Sequence, residues 1–228
     1  MLPQAEVVRG IQQELEGFAE LVRSLDERDW ARPSRCEGWT VSDVAGHLVG
    51  AFADLISGRI EGQGTAEVSE RQAAERRGRK AGEVADELDE VTVRTVKMVA
   101  SLSDATWAGQ ARGGYDLTVG QAMEAFWCGA YVHADDIRAA VGHPSERGPG
   151  LRAGVHHVAD VLTQRSWGPA VLALDGMEEV PVGDPGGESR ARRITGDSLA
   201  FLLVATGRGD PAPLGLDASV NVFASASP

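Results

Sequence analysis

Cysteine is almost missing from this chain. Cys36 and Cys128 are the only two in 228 residues, and they lie far apart. That excludes the disulfide framework of a small secreted domain and suits reduced thiols in a cytoplasmic setting. No apolar run approaches the ~20 residues of a membrane span. The opening MLPQAEVVRGIQQ lacks a basic stretch followed by an apolar one, so no secretory signal is expected. Positive charge is also short: 22 Lys and Arg stand against 34 Asp and Glu, a net charge of -12. Nucleic acid and anionic membrane are therefore excluded as general partners. The one basic cluster, Arg71, Arg76, Arg77, Arg79 and Lys80, has Glu70, Glu75 and Glu83 interleaved. It reads as a solvated helix face.

What is present is helical periodicity. Val8, Ile11, Leu15, Phe18, Val22 and Leu25 repeat at 3,4 spacing, which predicts a helix from Gln4 to about Asp26. DWARPSRCEGW follows as a loop marked by Pro33 and Gly38. Thr40 and Asp43 form a capping pair for a second helix, Val41 to about Ser57, with Val41, Ala45, Leu48, Phe52 and Leu55 on its apolar face. After the Gly-rich GRIEGQGT, a polar stretch from about Val68 leads into a third helix carrying Val84, Leu88, Val91, Thr95, Met98 and Leu102. Trp107 to Asp116 reads as a loop. Thr118 and Gln121 then make a capping box for a fourth helix from Val119, ended by Gly142 and Pro144. Its stripe is Met123, Phe126, Ala130, His133, Ile137 and Ala140. Four such helices predict a four-helix bundle over residues 1–144.

Beyond the linker SERGP the pattern changes. Leu151, Val155, Val158 and Leu162 mark a further helix ending near Gly168. PAVLAL and MEEVPV flank Asp175-Gly176, a two-residue hairpin signal. GDPGGES is a loop, RARRIT a strand, Ser198 to Thr206 a short helix, and ASVNVFA a last strand. Residues 150–228 are thus a small α+β domain, and the fold class is α+β.

A metal site in a bundle is assembled from side chains pointing inward from facing helices. His47, on the flank of the second helix's buried face, and His133, in the fourth helix's stripe, are placed for this. The plain alternative is a pair of core histidines with no ligand role. Asp43 and Asp54 lie one turn before and two turns after His47, where a carboxylate can orient its ring. Asp136 shares a face with His133. Cys128 is rotated about 140° from it and Glu124 lies on the opposite side. Cys36 sits just before a helix, where a thiolate is favoured, though a structural loop cysteine is the simpler reading. Trp39 reads as bundle core. His156 and His157 are adjacent, so at least one is solvated.

Two segments carry a resemblance. CEGWTVSDVAGHL and YVHADDIRAAVGHP resemble the signature segments of the mycothiol-dependent maleylpyruvate isomerase family, within the DinB-like bundle superfamily, and TGDSLAFLLVATGR resembles a segment of that family's C-terminal domain. The resemblance implies a DinB-like four-helix bundle holding a divalent metal, usually zinc, and a C-terminal domain related to sterol carrier proteins. It also implies mycothiol or a similar low-molecular-weight thiol as cofactor, in isomerase or S-transferase chemistry on a small-molecule substrate. By motif, His47 and His133 are metal ligands, with Asp136 a candidate third. Arg208, in the third segment, is a candidate for a substrate carboxylate, as are Arg190, Arg192 and Arg193. The chain departs from the family at one place. A Glu or His is expected one turn before His133, and Gly129 stands there instead. Glycine has no donor atom and costs ~1 kcal/mol in a helix interior relative to Ala. Two further readings follow: a bundle that has lost catalysis and binds a small ligand or partner, and a purely structural helical dimer. The expected state is monomer or homodimer.

Overall fold

The computed structural model describes residues 1–112, 117–184 and 191–223. Two compact units divide at Glu146 and Arg147. The first is helical. It contains α1 (Gln4–Ser24), α2 (Glu27–Trp30), α3 (Val41–Ser57), α4 (Ala66–Ala74), α5 (Ala81–Ala100), α6 (Asp104–Trp107) and α7 (Val119–Val141). The second contains α8 (Pro149–Gln164), β1 (Ala170–Asp175), β2 (Val180–Val182), β3 (Arg192–Asp197) and α9 (Ser198–Ala205). The class is α+β.

In the first unit α1 packs on α5 and α7, and α3 packs on the same two, closing a four-helix bundle. Phe18, Leu15, Phe52 and Leu88 are buried at its centre, each stabilising the fold by roughly 1.5–3 kcal/mol. Helix ends follow local chemistry. The expected first helix stops at Ser24 because the Asp26 carboxylate accepts from the backbone N–H of Arg28 and Asp29, at 2.9 and 2.8 Å, and so opens α2. The expected third helix is two helices. The chain turns after Ala74 and restarts where Glu83 accepts from the Lys80 N–H at 2.9 Å. A short helix, α6, capped by Ser103, precedes the expected 107–116 loop and ends at its first residue, Trp107. Residues 113–116 of that loop lie outside the described residues.

The basic cluster is not a solvated helix face: only Arg71 lies on α4, Arg76 to Lys80 form the connection to α5, and Arg76 is buried. Arg76 bonds Glu87, while Arg77 reaches Asp43 and Glu70, both at 2.7 Å. Arg59, Arg71 and Gln72 converge on Asp54, which is fully buried in α3 and ties α4 to that helix.

Helix α7 has the expected capping box, and Gly142 ends it in the left-handed region at φ 78°. Its buried surface is wider than the expected stripe. Met123, Ala130 and Ile137 are buried, but so are Glu124, Trp127, Tyr131, Ala134, Asp135 and Asp136. Such a helix is a central rod of the bundle, not a surface one.

Facing it from α1, Glu14 accepts from Trp127 Nε1 at 3.3 Å. Burial pushes the Glu14 carboxyl up from 4.5 to about 7, outweighing the Trp127 hydrogen bond and the Arg138 charge. The folded chain therefore holds this proton more tightly than the unfolded chain. Its contribution to stability is fully present below 4.5 and is lost as pH rises through about 7. Glu14→Gln is expected to flatten that slope and to stabilise the protein by about 2 kcal/mol above the window. Urea unfolding curves at several pH values check this; parallel wild-type and variant profiles would refute it.

In the second unit β1 is central in the order β2-β1-β3, antiparallel to β2 and parallel to β3. Ala170 pairs with Val182 and Leu172 with Val180, so Gly176–Glu179 connects the strands and the hairpin is longer than the two-residue turn expected from Asp175-Gly176. The expected RARRIT strand runs 192–197, while Arg190 and most of GDPGGES lie outside the described residues. Asp197 ends β3 and caps α9, accepting from the Ala200 N–H at 2.8 Å. The last expected strand is corrected: Ala218–Val220 is a 3-10 turn, because the Asp217 carboxylate accepts from the Ser219 N–H at 2.9 Å and curls the chain. His157 is buried, and that burial holds it down at about 4, whereas His156 meets Glu178 at 2.9 Å.

Candidate metal centre

Two helices and one loop supply the candidate site. Thr40 and Asp43 satisfy each other's backbone N–H groups and start α3, which places His47 two turns in. The same device at Thr118 and Gln121 starts α7 and sets the register of His133. The two imidazoles meet with ring centroids 5.1 Å apart and planes at 84°. On its other flank the His47 ring has Trp39 at 5.1 Å. Trp39 is thus half-exposed against a histidine, with Nε1 donating to Glu70 at 3.1 Å, and is not bundle core.

Asp136 is fully buried and gathers three donors. Its carboxylate meets His133 Nδ1 at 3.0 Å, Arg35 Nε at 3.1 Å and Cys36 Sγ at 3.4 Å. Arg35 also reaches the buried Asp135 at 2.6 Å, so one guanidinium offsets two adjacent carboxylates that would otherwise be costly to bury. The loop before α3 makes this possible. Pro33 and Thr40 form a bridge, Ser34 N–H donates to the Trp39 carbonyl at 2.9 Å, and Cys36 N–H donates to Ser34 Oγ at 3.1 Å. The folded-back loop points Arg35 and Cys36 at α7.

Among the described residues, Cys36, His133 and Asp136 form a group whose ligand atoms all lie within 4.8 Å of one another. Thiolate, imidazole and carboxylate are the donor types zinc takes. His47 is not a member of that trio, but its ring spacing also suits an ion. Two imidazoles bound at ~2.0–2.1 Å to one tetrahedral zinc have ring centres about 5 Å apart. The residues present therefore fit a divalent transition metal. The two carboxylates expected to flank His47 are engaged elsewhere. Burial alone would raise the Asp43 carboxyl, yet bonds from Thr40 and Arg77 hold it below its usual value. Asp54 belongs to the α4 network.

A Cβ built at Gly129 meets nothing within 4 Å, so the position one turn before His133 opens onto space. Cys128 is buried in α7 and lies outside the trio. Glu124 is buried and accepts from the Leu2 backbone N–H, which seats the start of α1. Arg208 belongs to the second unit, where its guanidinium donates to the Thr206 carbonyl at 2.8 Å. Arg192 bonds the Gly215 carbonyl, and Arg193 pairs with Glu179 at 2.6 Å. Arg35 is the site residue that periodicity does not reveal, since it lies in the loop; its one sequence signal is adjacency to Cys36 in the first signature segment.

The fold has solved counterparts. A crystal structure of mycothiol-dependent maleylpyruvate isomerase superimposes with a TM-score of 0.62 at 17% identity, covering 91% of this chain and 90% of that one. A variant of mycothiol-dependent maleylpyruvate isomerase with one histidine replaced by alanine gives 0.63 at 16% identity, with the same coverage. At such identities the likeness establishes fold alone. No curated protein sequence matches. The model of the family described as "Mycothiol maleylpyruvate isomerase N-terminal domain" matches residues 11–138. That stretch is more than half of the chain and contains the whole of α3, the Cys36 loop and α7 through Arg138, so the chain belongs to this family.

Proposed function

We propose that this protein binds a divalent metal at the His47–His133 pair and uses a low-molecular-weight thiol of the mycothiol type in isomerase or S-transferase chemistry. Its substrate is a small organic molecule. The observation that carries this reading is the meeting of two imidazoles from separate helices at 5.1 Å, one of them held by a buried carboxylate. Asp136 accepting from Nδ1–H fixes the His133 tautomer and leaves Nε2 with its lone pair for an ion. Arg35 keeps that carboxylate in place and shares its one positive charge between Asp136 and Asp135. Zinc, when bound, supplies a Lewis acid that keeps a thiol in its nucleophilic thiolate form. The space beside Gly129 leaves room there for a thiol or substrate.

Elemental analysis of protein purified without a histidine tag tests the reading. About one zinc per chain is expected after loading, falling below about a tenth in a His47→Ala/His133→Ala double variant. Loading below a tenth in the wild type, with the fold intact, would sink it. A second reading, a bundle without catalysis that binds a small ligand in the space beside Gly129, would then account better for the missing side chain.

A further inference from the structure

We infer that Cys36 is the third protein ligand of this centre, taking the part of the side chain that Gly129 lacks; the inference rests on the metal-site reading above. Catalytic zinc sites use three protein ligands and keep one position open. Two imidazoles alone fall one short, and α7 offers no donor at residue 129. The loop before α3 supplies one from the other side. Cys36 Sγ belongs to the trio with His133 and Asp136, in which no pair of ligand atoms exceeds 4.8 Å.

Donor atoms around one tetrahedral zinc sit roughly 3.3–3.8 Å apart. The trio does not include His47, so closing the set on Cys36, His47 and His133 needs the Cys36 side chain to leave its Asp136 contact and turn toward the pair of rings. The loop is held for this by the Ser34 and Trp39 hydrogen bonds and the Pro33–Thr40 bridge. Arg35, next in sequence, brings one guanidinium against Asp135 and Asp136, which leaves one negative charge in excess, so a thiolate at Cys36 relies on the charge of the ion itself. On binding, the Cys36 S–H bond breaks, its electron pair goes to the metal and its proton to solvent. With Cys36, His47 and His133 as ligands, the fourth position remains for an exogenous thiol.

Cobalt(II) is the probe. Metal-free full-length protein is titrated with cobalt chloride under reducing conditions and followed by absorption and equilibrium dialysis. The wild type is expected to develop a thiolate-to-cobalt charge-transfer band in the near ultraviolet. Cys36→Ser should lose the band and bind cobalt at least about tenfold more weakly, while Cys128→Ala keeps it. Stoichiometric cobalt with visible d–d bands but no charge-transfer band in the wild type would overturn the Cys36 assignment and leave the histidine site standing. A band that persists in Cys36→Ser would do the same. Failure of the wild type to bind cobalt at all would overturn both.

Discussion

Gly129→Glu is expected to tighten zinc binding by about 100-fold or more. The variant places a carboxylate one helical turn before His133, on the same face of α7. Structural zinc sites with four ligands release ~10–16 kcal/mol, so a well-placed ligand is worth roughly 3 kcal/mol, and 2.7 to 3 kcal/mol is about a hundredfold in affinity. Nothing stands in its way, because the built Cβ has no neighbour within 4 Å. The helix gains as well, since replacing an interior glycine recovers up to ~1 kcal/mol. The expected result is tighter binding with no loss of thermal stability, read by competition against a chromophoric chelator. If the affinity is unchanged while the protein stays folded, the ion does not sit where the His133 turn faces, and the site assignment fails. The same variant bears on Cys36. A site that already has three protein ligands has its open position taken by the new carboxylate, so the variant should hold metal more tightly and bind an exogenous thiol less well.

Local chemistry accounts for what the sequence reveals of this site and what it hides. The Thr40–Asp43 and Thr118–Gln121 boxes are short-range devices written within four residues, so the starts of α3 and α7, and with them the registers of His47 and His133, are legible directly. That the two rings meet depends on helix packing. Periodicity allows the meeting, and the resemblance of two signature segments selects it. Cys36 and Arg35 face α7 only because the 33–40 loop folds back through a bridge between Pro33 and Thr40, a long-range fact with no period. Trp39 and residues 218–220 depart from expectation for a related reason: a polar partner, Glu70 in one case and Asp217 in the other, determines the outcome. The break between α4 and α5 was hidden because its arginines suit a helix in isolation, and the ion pairs that hold them come from α3 and α5.

Gly10→Ala is expected to lower the melting temperature by about 4–12 °C. Helix α1 crosses α7 so closely at this point that a Cβ on Gly10 would lie 2.1 Å from Trp127 Cη2 and Cζ2. No real contact tolerates that distance. Trp127 is 1% exposed and the largest fully buried side chain, so its ring has no space to retreat into. Overpacking of this kind costs ~1–3 kcal/mol and occasionally more, and the better helix propensity of alanine offsets up to ~1 of it. A contact of 2.1 Å puts the cost at or above the top of that range, ~3–4 kcal/mol, so a net loss of about 2–3 kcal/mol remains and converts at roughly 2–4 °C per kcal/mol for a chain of this size. Displacing the indole also breaks its bond to Glu14; because that bond opposes the upward push of burial, its loss should steepen the fall of stability with rising pH. Because α7 carries His133 only six residues beyond Trp127, metal affinity should fall along with stability. Adding Trp127→Phe, which removes the outer ring that the new methyl strikes, is expected to recover at least half of the lost melting temperature. Calorimetry on the three proteins decides it: a Gly10→Ala melt within about 2 °C of wild type would mean that α1 and α7 are not in contact through this glycine.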